Sequence, residues 1–136
     1  MSLDAAARRP YLDMTKGGPA KSFTFSKSRR LASTADFDRI RKQGRVERGK
    51  FIVLSFLRTG GNGFRAGFVT SRAIGRAVVR NRVRRRLREI VRRHQHEIVG
   101  GPLVVTIARR NAAAASYEQL EGEWLRLARR ASILSA

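Results

Sequence analysis

The chain has 136 residues, with 30 lysines and arginines against 10 aspartates and glutamates, giving a formal net charge of +20 at pH 7. This charge sets the chain apart from ordinary enzymes and indicates a polyanionic partner, with nucleic acid favoured over an acidic membrane surface. The absence of cysteine excludes disulfides and thiolate zinc sites, and no apolar run approaches the roughly 18 residues of a membrane span.

Residues 1–28 show scattered basic residues and no apolar periodicity. We interpret them as a flexible basic N-terminal extension, in which Phe23 and Phe25 can dock as an extended strand. Acidic residues at Asp4 and Asp13 and the lack of an apolar stretch argue against a secretory signal, so we expect a cytoplasmic protein.

A first helix is predicted over residues 34–43, with Ser33 or Thr34 as its cap and Gly44 as its end. Its apolar face is thin and centres on Phe37. That side chain has two interpretations: a core anchor, or an aromatic ring on which a base stacks.

The clearest strand covers residues 50–58, whose two faces are both largely apolar. We therefore expect a sheet that is covered on both sides, at least in part. The glycine-rich stretch 59–63 indicates a turn, and residues 64–70 are predicted to return as the second strand of a hairpin. Gly67 inside that strand suggests a bulge or a close backbone approach. A further short strand is expected near residues 44–48 or in the tail.

Residues 72–93 contain ten arginines and a single acid, Glu89. Apolar residues recur along one stripe of a 3.6-residue helix, at Val79, Val83, Leu87, Ile90 and Val91. Charges of one sign at this density repel and weaken an isolated helix. The pattern therefore predicts a helix that packs through its aliphatic stripe and is neutralised by RNA or DNA.

The two ends of this helix carry further candidates. Gly75 precedes it, either as a packing glycine or beside free N–H groups that bind a phosphate. His94 and His96 follow it, about 200° apart around a helix axis. A shared metal ion is therefore disfavoured, and the histidines are expected to stabilise the negative end of the helix dipole.

A β-branched run at residues 103–108 predicts a buried strand after the break at Gly100. Ser116 with Gln119 forms a capping-box pattern that opens a last helix over residues 117–132. Its buried stripe is expected to hold Leu120, Trp124, Leu127 and Ala131, and its solvated face Glu118, Glu121 and Glu123.

The predicted order of helix, two strands, helix, strand and helix favours an α+β sandwich formed by residues 29–136 as a single RNA-binding domain. The ten acids show no metal-ligand spacing, so no metal site and no catalytic residue are predicted in the protein. Because helical RNA hides its base edges, an arginine-coated helix is expected to recognise shape and phosphates.

The stretch from Ala66 to Glu89 resembles the bacterial ribonuclease P protein subunit family. It contains that family's glycine-containing strand, a Ser-Arg pair, an Ile-Gly pair and the Arg80-Asn81-Arg82 helix. The resemblance covers roughly residues 29–134. It implies a two-layer α/β sandwich with a mostly antiparallel four-stranded sheet, three helices and a left-handed βαβ crossover around the arginine-rich helix.

The resemblance also implies a function. The family's protein joins a catalytic RNA that uses Mg²⁺ to remove the 5′ leader of precursor tRNA, and it holds that leader. Catalysis resides in the RNA, so the expected partners are the catalytic RNA and precursor tRNA, with no membrane and no protein partner required. The alternatives from composition are a structural RNA-binding protein, such as a ribosomal component, and a DNA-binding module.

Site residues follow from the same resemblance. Contacts with the catalytic RNA are implied for Arg72, Arg76, Arg80, Asn81, Arg82, Arg84, Arg85, Arg86 and Arg88. A leader-binding cleft between the first helix and the sheet is implied for Phe37, Arg41, Ser55, Thr70 and Arg80. Family members often carry aromatic residues where this chain has Arg41 and Ser55, so we expect leader binding here to depend more on charge than on stacking.

Overall fold

The computed structural model describes residues 29–31, 34–60 and 63–135. The predictions for residues 1–28, including strand docking by Phe23 and Phe25, lie outside these ranges, as does the cap at Ser33. The described residues form three α-helices and four strands, in the order α1 (Thr34–Gln43), β1 (Arg45–Arg48), β2 (Ile52–Arg58), β3 (Arg65–Val69), α2 (Ala77–Arg93), β4 (Pro102–Ala108) and α3 (Tyr117–Arg130).

The four strands form one sheet in the order β1-β2-β4-β3. The β1–β2 and β2–β4 pairs are antiparallel, whereas β3 and β4 are parallel and are connected through α2. The predicted α+β fold, with three helices and a mostly antiparallel four-stranded sheet, is confirmed, and so is the additional strand near residues 44–48. The left-handed sense of the β3–α2–β4 crossover stays a prediction.

The predicted hairpin between β2 and β3 is wrong, because β4 lies between them. Six of the seven residues of β4 are buried, so this strand is best accommodated with a neighbour on each side. The connection after β2 passes across the start of β4, where Thr59 donates a hydrogen bond to the Gly101 carbonyl (2.6 Å) and Gly60 N–H donates to the Gly100 carbonyl (3.1 Å). The glycine-rich stretch 59–63 correctly predicted that the chain reverses direction after β2, but it did not predict which strand pairs with β2.

The main core lies between the sheet and the pair of helices α2 and α3. The stripe predicted for α2 is confirmed, since four of its members are buried and Val79 packs partly buried against the core. Trp124 on α3 is fully buried, and its indole N–H donates a hydrogen bond to Thr106 of β4 (3.2 Å). These contacts fix both helices to the same face of the sheet.

The opposite sheet face is covered at one end by α1. Leu31, Ile40, Leu103 and Val105 form a smaller buried cluster there, and Phe37 packs against it. A Cβ atom added at Gly67 would lie 3.0 Å from Cζ of Phe37, which confirms the close approach predicted for this glycine. The rest of this face, towards the other end of the strands, is only partly covered.

The last helix begins with the predicted capping box between Ser116 and Gln119 and ends at Arg130 rather than Ser132. The solvated acidic face predicted for it is wrong in part. Glu118 is exposed, but Glu123 is buried and accepts hydrogen bonds from the backbone of residues 50–52. Helical spacing alone does not reveal which element lies opposite a given side chain.

We predict opposite stability effects for two glycine-to-alanine substitutions. A Cβ at Gly44 would lie 2.5 Å from the carbonyl oxygens of Ile40 and Phe56, so Gly44→Ala should lower the free energy of unfolding by about 1–3 kcal/mol. Gly122 in α3 has open space around that position, so Gly122→Ala should raise it by about 0.5–1 kcal/mol. Urea denaturation of both variants measures the difference, and equal effects would contradict the packing at Gly44.

Candidate nucleic-acid interface

The start of α2 is shaped by a tight turn that contains Gly75. This residue has φ of 143°, a conformation that L side chains rarely adopt, and follows the 3₁₀ turn Arg72–Ile74. Its carbonyl accepts a hydrogen bond from the Arg80 guanidinium (3.0 Å). Arg76 occupies the N-cap position without a side-chain cap bond. The glycine therefore has a structural role, while phosphate binding at these N–H groups stays a prediction.

Four of the predicted RNA-binding arginines of α2 are held by neutral acceptors of the protein itself. Their bonds run from Arg80 to the Gly75 carbonyl (3.0 Å), from Arg82 to the Ala113 carbonyl (3.3 Å), from Arg84 to the Thr70 hydroxyl (2.6 Å) and from Arg86 to the Ala115 carbonyl (3.0 Å). A hydrogen bond to a carbonyl or hydroxyl orients a guanidinium without cancelling its charge. These arginines are thus fixed and remain cationic.

A second set of arginines points outward. Arg72, Arg76 and Arg85 are exposed, and no carboxylate of the described ranges pairs with any of them. Acidic partners occur instead near the C-terminal end of the helix, where Arg92 pairs with Glu89 and Arg93 lies 3.8 Å from Glu121. We call the two sets together, Arg72, Arg76, Arg80, Arg82, Arg84, Arg85 and Arg86, the α2 arginine surface.

The remaining predicted RNA-contact residues also lie on α2. Asn81 is exposed, and its side-chain oxygen accepts a weak bond from Arg84 (3.4 Å). Arg88 is half-buried. Apart from Arg72 in the 3₁₀ turn and Arg76 at the N-cap, the predicted RNA-contact residues therefore all lie on α2, where fixed and outward-pointing guanidinium groups lie side by side along the chain.

Two of the predicted cleft residues, Phe37 and Ser55, lie at the sheet face that α1 partly covers. Ser55 pairs with Val105, which in turn pairs with Gly67, so all three lie in one row. Phe37 approaches Gly67 closely, and Ser55 is 9% exposed. Arg41 is exposed one helical turn after Phe37 and is paired with Asp38.

The other two predicted cleft residues lie at the end of β3, towards α2. The Thr70 hydroxyl accepts the bond from Arg84, and Arg80 is bonded to Gly75. Val69, immediately before Thr70, lies on the part of the same sheet face that α1 leaves uncovered, which we call the open sheet face. Thr70 and Arg80 therefore lie where that face meets the α2 arginine surface, rather than beside Phe37.

A group of cations that was not predicted from the sequence lies at the end of this face that α1 leaves open. Val53, Ile107 and Val69 pair in one row and are partly exposed; we call them the apolar strip. Exposed Arg48 pairs with Val53, and exposed Arg109 follows Ile107 on extended backbone, with Lys50 in the adjacent turn. We call Arg48, Lys50 and Arg109 the cationic edge. Strand register brings Arg48 and Arg109 to the same end of the sheet and the turn adds Lys50, an arrangement that no local sequence pattern indicates.

The C-terminal end of α2 is capped by His94, as predicted for a histidine at this position. Nδ1 lies 2.8 Å from Glu97 and Nε2 lies 2.9 Å from Glu121, while the ring stacks on Trp124. Burial by itself lowers the pKa of His94, but hydrogen bonds and charges from Glu97 and Glu121 outweigh burial and raise the pKa above its ordinary value. The imidazolium form is therefore favoured in the folded protein.

The described residues contain neither a cluster suited to a metal ion nor a membrane-spanning helix. Among them, no group of three or more histidine, aspartate or glutamate side chains could hold a metal ion. Within the same ranges, no helix has the length and apolar character needed to cross a bilayer.

Comparisons with known proteins identify one family. The family model described as Ribonuclease P matches residues 25–132. The ribonuclease P protein component of Acidothermus cellulolyticus is 44% identical over 100 residues, covering 72% of this chain and 83% of that protein. The Staphylococcus aureus RNase P protein structure aligns with a TM-score of 0.73 at 27% identity, covering 80% of this chain and 100% of the other. The Thermotoga maritima RNase P protein aligns with a TM-score of 0.68 at 30% identity, covering 74% and 96%.

We predict that stability depends on the protonation of His94. Because its pKa is raised on folding, the added stability should be complete below the ordinary value of 6.5 and should be lost as pH rises through the folded-state pKa. Urea unfolding from about pH 5.5 to about pH 8.5 should show this decline, and His94→Gln should flatten it. An equally steep decline in the His94→Gln variant would contradict the assignment.

Proposed function

This chain belongs to the ribonuclease P protein family, and we propose that it binds the catalytic RNA through the α2 arginine surface and the 5′ leader of precursor tRNA on the open sheet face. In this proposal the RNA carries out hydrolysis with Mg²⁺, and the complex acts as a cytoplasmic endoribonuclease that produces mature tRNA 5′ ends. The observation that supports it most directly is the set of outward arginines at the start of α2 and on it, Arg72, Arg76 and Arg85, which have no acidic partners within the described ranges.

The α2 arginine surface suits a folded RNA. The helix spans 17 residues, about 25 Å of axis, which is long enough to contact several phosphates. Guanidinium groups that are already oriented by backbone carbonyls lose less side-chain entropy on binding than free ones. Since arginine stays charged at any cellular pH, this attraction is permanent, and it weakens as salt concentration rises.

The open sheet face suits a single strand. Its apolar strip offers a flat aliphatic surface for bases, and the cationic edge beside it can neutralise the backbone, as the basic grooves of single-strand binding proteins do. Phe37 already packs on the small core and Ser55 provides no aromatic ring, so fewer stacking platforms are present than in a fully aromatic cleft. We therefore propose that the leader is held here mainly through charge.

We assign the hydrolysis to the RNA because of how the protein's carboxylates are arranged. Among the described residues, Glu97 and Glu121 meet only at His94, and no group of three or more acidic or histidine side chains could hold a metal ion, so the described part of the protein offers no cradle for Mg²⁺. The protein's contribution is to bind, to orient, and to reduce phosphate repulsion between two RNAs. A structural RNA-binding role, such as that of a ribosomal component, is not favoured, because the comparisons consistently identify ribonuclease P.

We predict the outcome of reconstitution. The protein alone, freed of RNA, should not cleave precursor tRNA. Added to the catalytic RNA from the same source, it should restore cleavage at Mg²⁺ concentrations too low for the RNA alone, because cationic side chains replace part of the ionic screening. Gel analysis of the released leader measures both results. Cleavage by the RNA-free protein would overturn the assignment of catalysis to the RNA.

We further predict that alanine substitutions of two neighbouring arginines of α2, Arg85 and Arg86, have different effects on RNA binding and on stability. Arg85→Ala should reduce the slope of log affinity against log salt for the catalytic RNA by about one unit, with little effect on stability. Arg86→Ala should lower the free energy of unfolding by about 1 kcal/mol, because its bond to the Ala115 carbonyl is lost. Filter binding over a salt series and urea denaturation measure the two effects.

The matched control for charge is Arg129→Ala, which removes an exposed arginine from the end of α3. Its salt slope should equal that of the unmodified protein. An unchanged slope for Arg85→Ala as well would show that the outward side of α2 does not contact the RNA.

A further inference from the structure

Glu123 on α3 is 6% exposed and is the one acid classed as buried among the described residues. Its carboxylate accepts three backbone hydrogen bonds from consecutive residues: one oxygen from Lys50 N–H (2.9 Å), the other from Phe51 N–H (2.7 Å) and Ile52 N–H (2.8 Å). A buried carboxylate without such donors would be strongly destabilising. The three bonds therefore join α3 firmly to the turn between β1 and β2.

The turn is shaped around this carboxylate. A Cβ atom at Gly49 would lie 2.5 Å from both Cδ and Oε2 of Glu123, so a side chain fits at this position only if the hydrogen-bonded carboxylate moves. Gly49 N–H donates to the Ile52 carbonyl (2.8 Å), which closes the turn. This turn also explains why β2 begins at Ile52 rather than at Lys50, as the sequence had predicted.

The same turn places the cationic edge. Lys50 lies within it, with its ammonium 5.4 Å from the ring centroid of Phe51. Arg109 reaches it from β4, since its guanidinium donates to the Gly49 carbonyl (3.0 Å) and its backbone N–H donates to the Phe51 carbonyl (2.8 Å). The geometry of the turn thus determines where these cations lie relative to the apolar strip.

The charge arrangement favours an external anion. The Glu123 carboxylate is turned to backbone N–H groups and to Arg126 (3.3 Å), on the side of α3. No carboxylate of the described residues pairs with Arg48, Lys50 or Arg109. An acid placed here stabilises the turn while leaving the charge of the cationic edge available to a phosphate.

We propose that Glu123 is a positioning residue for leader binding: by holding the Gly49–Ile52 turn, it fixes the cationic edge beside the apolar strip. This proposal rests on the proposed function, because it assumes that the open sheet face holds the leader. Glu123 itself does not contact RNA. Its effect is preorganisation, since cations that are already in place lose less entropy when they bind phosphate groups.

The test uses the complete complex of protein and catalytic RNA, with precursor tRNA and mature tRNA as separate ligands. Glu123→Ala should reduce the affinity for precursor tRNA by roughly tenfold, equivalent to about 1.4 kcal/mol, and leave the affinity for mature tRNA unchanged. Glu123→Gln should give a smaller loss, because its amide oxygen still accepts backbone bonds whereas its NH₂ group opposes a backbone N–H. The Gln variant keeps the test available if the Ala variant does not fold.

Two controls separate positioning from general destabilisation. Glu121→Gln removes another α3 carboxylate, bonded to His94 and away from the cationic edge, and should lower stability without changing the preference for precursor tRNA. In a protein that carries Arg48→Ala, Lys50→Ala and Arg109→Ala together, adding Glu123→Ala should cause no further loss of that preference, because the groups through which Glu123 acts are gone.

The outcomes distinguish the two proposals. If the unmodified complex shows no preference for precursor over mature tRNA, the proposed leader function fails. If that preference exists and the folded Glu123 variants retain it, the positioning role is wrong while leader binding stands. A loss of preference in Glu121→Gln that matches the loss in Glu123→Gln would also overturn the positioning role, since stability alone would explain both.

Discussion

The structure depends on the burial of one aliphatic stripe beneath a helix covered with like charges. Val83, Leu87, Ile90 and Val91 of α2 are at most 1% exposed. Burying four such side chains contributes on the order of 6–12 kcal/mol, whereas each like-charge pair on a helix surface costs a few tenths of a kcal/mol. Packing therefore outweighs repulsion, and the protein can display a dense cationic surface before any RNA neutralises it. Without the burial of that stripe, repulsion among the arginines would destabilise α2 in the absence of RNA.

The distribution of acids preserves this surface. Carboxylates pair with cations near the C-terminal end of α2, on α1 and between α3 and β1, where Arg130 lies 3.1 Å from Glu47. Arginines near the start of α2 are oriented instead by carbonyl and hydroxyl oxygens, which leave their charge intact. Glu123 follows the same principle, because it satisfies backbone donors rather than the cations beside them. Positive potential is thus concentrated on the surfaces that we assign to RNA, which also favours fast association.

The strand order connects the two proposed binding surfaces. Because β4 occupies the centre of the sheet, β3 becomes an edge strand whose end lies against the start of α2. Val69 is the last residue of the apolar strip and lies on one side of the β3 backbone. The next residue, Thr70, is bonded to Arg84 on the other side. In the proposed arrangement, a leader strand on the sheet face would therefore run towards an RNA bound at α2. This continuity agrees with a protein that bridges a catalytic RNA and its substrate, the role proposed for this member of the ribonuclease P family.

The sequence by itself determined the features that depend on neighbours a few residues apart. Helix α1, the stripe of α2, the Ser116–Gln119 capping box and the family motif are all local patterns, and each was predicted correctly. Tertiary structure decided the order of the strands. Both β3 and β4 were candidates for pairing with β2, and β4, which is more completely buried, pairs with it. It also decided the role of Glu123, whose backbone partners lie more than 70 residues away in the chain. Such choices are made by competition for burial and for hydrogen-bond partners across the whole molecule, which periodicity along the chain does not encode.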